Sequence, residues 1–231
     1  MKTSLKSFAA FAILAVAVSS AQANQITLSQ SSSYSVGLGG AFVAKVVNGS
    51  INNSDYSGAA KIGTTSFATF CIEYSEHFAP GGTYNYVVNF GSVNGGVSGQ
   101  SPSNPYYDGV SNGTAFLYSQ FAQGSLAGVA GFAYDKSATG YGFLQDAIWN
   151  LEGEITTSNA LANWVKTNIT NWNSDSNGSY GVYALNLTYT DGSRAQDQLY
   201  YHKVPEQGMT VAFLGLALLG IVGVRRLIIS K

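Results

Sequence analysis

The chain contains a single cysteine, Cys71, inside the strand-like run Phe67-Ala68-Thr69-Phe70-Cys71-Ile72-Glu73-Tyr74. A thiol is a nucleophile once deprotonated, but a lone cysteine on a strand also serves as a small buried hydrophobe. An unpaired thiol is nevertheless a liability in an oxidising compartment, and export to such a compartment is what the ends of this sequence indicate. A second residue of interest is Gln145, in Leu144-Gln145-Asp146-Ala147-Ile148-Trp149-Asn150-Leu151-Glu152-Gly153. It stands near the start of an apolar helical pattern, where a carboxamide can also simply cap or bond to the backbone. His77 lies six residues after Cys71. On a strand that spacing puts both side chains on one face but about 20 Å apart, at about 3.3 Å per residue, which disfavours a Cys-His hydrolase. His202, the other histidine, is expected to be exposed. Glu73 with Glu76, and Glu152 with Glu154, are too close in sequence for glycosidase carboxylates and read as solvated charge.

Composition narrows the field further. All 12 acidic residues but only six of the 11 basic ones lie between the chain ends, so the bulk of the protein is acidic. Nucleic-acid binding is disfavoured, because phosphate neutralisation needs a cationic face. One cysteine and two histidines exclude an intramolecular disulfide and the common zinc sets, and no cofactor motif is present. With 10% charged residues, 27 glycines and 13% aromatics, the surface must be built mostly from Ser, Thr, Asn, Gly and Tyr, as suits an extracellular β-rich protein. Six Asn-x-Ser/Thr sequons, beginning at Asn48, Asn52, Asn112, Asn168, Asn177 and Asn186, follow from that richness.

The elements that must position Cys71 and Gln145 lie in one domain, residues 24–203, with no internal repeat. Strand patterns occupy 25–30, 41–47, 66–74 and 83–90; in the last, Tyr84, Tyr86, Val88 and Phe90 recur at period 2. Residues 91–113, rich in Gly, Ser, Asn and Pro, read as a long surface loop. Helical patterns follow at 114–123, 142–152 and 158–168, with Leu144, Ile148 and Leu151 on one face of the second. Strands return at 180–190 and 194–203 around an Asp191-Gly192 turn. The expected fold is α+β: antiparallel β-sandwich-like sheets with a helical insertion, plus a C-terminal transmembrane helix.

The two ends read as addresses. Residues 1–23 carry Lys2 and Lys6, an apolar run and a Ser20-Ala21-Gln22-Ala23 ending that a signal peptidase accepts. Residues 211–224 form an uncharged apolar run of 14, followed by Arg225 and Arg226. As a helix that run covers about 21 Å of a bilayer core of about 30 Å, so the span needs its flanking residues, with the arginines at the cytoplasmic interface.

The tail as a whole, with Val204, Pro205, Glu206 and Gly208 ahead of the apolar run and Arg225 and Arg226 behind it, resembles the PEP-CTERM sorting signal of Gram-negative bacteria. Gln207 stands where the commonest form has a second proline. The resemblance implies exosortase as a processing partner, retention in the inner membrane through the 204–231 segment during sorting, and delivery to the cell surface or extracellular matrix. The segments Phe70-Cys71-Ile72-Glu73 and Leu144-Gln145-Asp146-Ala147-Ile148-Trp149, in that order, resemble the two signature segments of bacterial surface thioester domains. Residues 114–121 are similar to the helix that precedes the glutamine segment there.

The resemblance implies an internal thioester joining the Cys71 thiol to the Gln145 side-chain carbonyl. A thiol held against a desolvated carboxamide can expel ammonia, and enclosure by Phe70, Phe143 and Trp149 would protect the product from water. An amine or hydroxyl of a surface or matrix target would then take the acyl group and release the thiol, once per molecule and without enzymatic turnover. The competing expectation is a non-catalytic structural or matrix protein of the same fold, with both residues merely buried.

Overall fold

The computed structural model describes residues 23–203, apart from 32, 34, 37–38, 94–99, 102–103, 130–131 and 133–136. The signal segment 1–23 therefore falls outside the described residues except for Ala23. So does the whole tail, with Val204, Pro205, Glu206, Gly208, Arg225 and Arg226 and the expected membrane helix. Among the described residues no helix is long and apolar enough to cross a membrane.

Period-2 alternation sets the first strands. In β1 (Gln25–Ser29), Ile26 and Leu28 point inward and are fully buried, with half-buried polar neighbours between them. The short hairpin β2 (Ser35–Val36) and β3 (Gly39–Gly40) leads into β4 (Phe42–Asn48). After the edge strand β5 (Lys61–Ile62) come β6 (Ser66–Thr69) and β7 (Gly82–Asn89), whose Tyr84 and Tyr86 face the core while Val87 is exposed.

Residues 91–113, expected to be a loop, instead supply β8 (Gly91–Val93), β9 (Gln100–Ser101) and β10 (Asn104–Gly109), a small antiparallel sheet, and the start of the first helix. The glycine that suggested a loop is what permits the pairing: a Cβ on Gly91 would lie 2.1 Å from the Asp108 carbonyl oxygen.

Three helices follow: α1 (Asn112–Ala122), α2 (Ala138–Glu152) and α3 (Ala160–Asn168). Each starts on a polar cap. Ser111 accepts from Thr114 N–H, Ser137 from Gly140 N–H, and Asn159 from the N–H groups of Leu161 and Ala162. Gly153 ends α2 in the left-handed region at φ +80°, where a side chain would be strained. Leu144, Ile148 and Leu151 are all buried, as their spacing predicts. The chain closes with β11 (Val182–Thr188) and β12 (Arg194–Tyr201), joined by a turn in which Asp191 Oδ1 accepts from Ser193 N–H and Gly192 has φ +85°.

Among the described residues the architecture is α+β, three α-helices with three sheets of antiparallel strands. Seven of them make one sheet in the order β12-β11-β7-β1-β4-β6-β5. That sheet curls until its sides meet. Thr69 Oγ1 donates to Leu199 O at 2.6 Å, Leu199 N–H to Phe70 O at 3.0 Å and Ile72 N–H to Asp197 O at 3.2 Å. Cys71 and Gln198 form the antiparallel bridge at the centre of this seam. Closure explains why every residue of β12 after Arg194 is buried, including three successive polar ones, Gln196, Asp197 and Gln198. Twist carries the sheet far enough for its sides to meet, and backbone hydrogen bonds across the seam satisfy groups that an open edge would leave unpaired.

Candidate functional site

Cys71 lies two residues beyond the regular pairing of β6, at the seam. The bonds to β12 run through Phe70 O and Ile72 N–H, so the N–H and C=O of Cys71 face the opposite way. There they meet α2. Gln145 accepts from Cys71 N–H through Oε1 at 3.0 Å and donates from Nε2 to Cys71 O at 2.9 Å. One carboxamide thus takes the place of a neighbouring strand, and Cys71 and Gln145 are both fully buried. The structure brings together two residues that lie 74 positions apart in sequence.

The sulfur has its own partners, which the sequence did not single out. Cys71 Sγ donates to Gln196 Oε1 at 2.7 Å, and Gln198 Nε2 donates to the sulfur at 3.4 Å. Burial pushes the thiol well above its ordinary range; the Gln198 donor acts against that and nearby Glu73 adds to it. The sulfur's hydrogen-bond partners among the described residues are both glutamines, and His77 enters the site only through its backbone carbonyl, which accepts from Gln196 N–H. His202 is exposed as expected, and its Nδ1 lies 2.7 Å from Asp55 Oδ2.

The three aromatics divide into two groups. Phe70 is fully buried and packs edge-on against Phe121 of α1, ring centres 5.1 Å apart, with Tyr118 and Tyr141 beyond it. It anchors the seam. Phe143 and Trp149 instead line a cleft of about 480 Å³ along α2, with Gly39, Tyr74, Thr139, Gly142 and Asp146. Thr139, Gly142, Phe143, Asp146 and Trp149 follow one another at helical spacing, and so form one stripe of α2. Tyr74 closes the opposite wall, edge-on to Trp149 at 4.9 Å, with its backbone N–H fixed by Glu154 Oε2 at 3.0 Å. Gly39 separates this cleft from Gln145. A Cβ there would lie 3.1 Å from the Trp149 ring and 3.2 Å from Gln145 Cγ, so only a hydrogen atom covers the carboxamide's stem on that side.

Behind the seam sits a group of carboxyls. Glu73, Glu152 and Glu154 are buried rather than solvated, contrary to the expectation from their spacing. The Glu73 carboxyl lies beside Ser92 and Glu76 without a well-aligned hydrogen bond, and burial, reinforced by Asp197 and Glu76, pushes it up to about 10. Burial raises Asp197 to about 7 although Val93 N–H, Leu187 N–H and Asn186 Nδ2 all donate to it. Glu152, bonded by Ser111, is also raised to about 7 by burial. Among the described residues no group of histidine, cysteine and carboxylate side chains is arranged to hold a metal ion.

The chain was compared with protein-family models, with curated proteins and with solved structures, and none of them matches it.

Proposed function

We propose that the chain is an exported, adhesin-like surface or matrix protein that couples covalently to a partner nucleophile through a thioester between Cys71 and Gln145. The observation that carries this reading is the two-point grip of the Gln145 carboxamide on the Cys71 backbone, in a site fully closed to water. It holds the carboxamide against the backbone of the residue that bears the thiol, without solvent to compete, and so supports the proximity that acyl transfer needs. In the forming step the S–C bond is made, the C–N bond of Gln145 breaks, and the thiol proton leaves with the nitrogen as ammonia. In the transfer step an amine of the partner bonds to the acyl carbon, the C–S bond breaks, and the amine's proton returns to sulfur. The cleft beside Gln145, walled by Tyr74, Phe143 and Trp149, is the approach for that nucleophile, and Gly39 is the thinnest point of its floor. The protein is consumed in the act, so it is not an enzyme.

A second reading is favoured by the same two hydrogen bonds. They satisfy Cys71 N–H and C=O completely, which is a sufficient structural reason for a glutamine on α2. In that case the protein is a non-reactive matrix component. Incubation of the exported protein with methylamine separates the two. The thioester reading predicts a methylamide at Gln145 together with one newly reactive thiol at Cys71, and neither in Cys71→Ala. Native protein that takes up no methylamine at Gln145 sinks the thioester.

For the tail, exosortase processing of the 204–231 segment is proposed, with signal peptidase acting after Ala23. The apolar run of 14 is short for a permanent anchor, and the Val204-Pro205-Glu206 motif stands ahead of it. Protein recovered from the cell surface should therefore lack peptides from 211–224. Their recovery in that fraction would identify the tail as a retained anchor.

A further inference from the structure

The sulfur of Cys71 is held by two side chains that the thioester reading does not itself require. Gln196 and Gln198 stand two residues apart on β12, so they project from the same face of the strand, into the seam. Gln196 is fixed at several points. Its N–H donates to His77 O at 3.1 Å, its Nε2 to Glu73 O at 2.8 Å, and its Oε1 takes the thiol hydrogen at 2.7 Å. Gln198 is used one-sidedly. Its Nε2 reaches Cys71 Sγ and the Gln196 carbonyl, both at 3.4 Å, while its Oε1 is buried with no partner. A buried amide oxygen without a donor is costly. An apolar side chain of similar size would fill the space without that cost, so what a glutamine contributes here is its N–H on the sulfur.

Resting on the Cys71–Gln145 reading, we propose that Gln196 and Gln198 are positioning residues for the acyl transfer. Gln196 fixes the sulfur by holding the thiol hydrogen, and Gln198 stabilises negative charge on sulfur as the acyl bond is made and broken. The electron pair left on sulfur when the C–S bond breaks needs a donor inside a site without water, and Gln198 Nε2 is the side-chain N–H aimed at it. The proton that finally reaches sulfur comes from the attacking nucleophile, and the resulting thiol returns to Gln196 Oε1. No electrons change hands.

The test is the rate at which hydroxylamine cleaves the thioester in the exported protein, followed by release of the Cys71 thiol. Gln198→Met keeps the length and removes the N–H. It should retain the mass deficit of one ammonia and lose roughly 10- to 100-fold in cleavage rate. Gln198→Glu donates an O–H only while protonated, so its rate should fall with rising pH across a range where the wild type shows no such limb. A purely structural glutamine would not create that limb. If Gln198→Met is not recovered folded, the Gln198→Glu profile decides. A Gln198→Met protein that cleaves at the wild-type rate, or a Gln198→Glu protein with the wild-type profile, overturns this inference alone. A wild-type protein that releases no thiol overturns the thioester reading and this inference with it.

Discussion

In the thiol–carboxamide form, before any thioester closes, replacing Gln145 with leucine is expected to destabilise the domain by about 2–5 kcal/mol, because two buried backbone groups of Cys71 lose their partners at once. Leucine fills most of the space, so the loss reports the hydrogen bonds rather than a cavity. Cys71→Ala leaves the Gln145 bonds to the backbone intact and removes one small side chain, and should cost about 1–2 kcal/mol by comparison. Both variants should abolish methylamine uptake. Denaturant unfolding of the two variants beside the wild type checks the ordering. Equal losses would mean that the carboxamide does not hold the seam.

The second large effect depends on pH. The Glu73 carboxyl titrates at about 10 in the folded protein, against an ordinary 4.5, chiefly because it is buried and secondarily because Asp197 and Glu76 lie close. Between those values the unfolded chain has released this proton and the folded chain still holds it. The folded state therefore binds more protons, and stability falls as pH rises through that window. Asp108, raised to about 8, and Glu152 and Asp197, each raised to about 7, act in the same direction over narrower windows. The protein should accordingly be more stable in mild acid than in mild base. Glu73→Gln keeps the shape and removes the titration. It should raise stability by on the order of 2–4 kcal/mol near pH 8 and change little near pH 4. Thermal melts of both proteins at the two pH values check this, and a gain of the same size at both would contradict it.

Much of this fold could be read from local pattern. Tyr84 and Tyr86 at period 2, the Asp191-Gly192 turn and the Leu144, Ile148 and Leu151 stripe each became the element they predicted. What failed to show was non-local. Glycine in 91–113 signals a loop in isolation, yet at Gly91 it allows close pairing with β10. The strand through Cys71 is regular only to Thr69, because from there its partner is β12, about 130 residues away, and α2 takes the other side. The same closure buries Glu73 and turns Gln196 and Gln198 inward. In sequence they look like an exposed polar stretch, Arg194-Ala195-Gln196-Asp197-Gln198. Cys71 and Gln145 were legible as a pair only through a resemblance, since nothing local to either residue points to the other.

If Cys71 and Gln145 become one covalent unit, the intact mass of the freshly exported protein records it. The expected mass is lower than that of the processed sequence by one ammonia, with the deficit absent from Cys71→Ala and removed by hydroxylamine. A full calculated mass for the wild type, measured under mild conditions before any nucleophile is added, would contradict it.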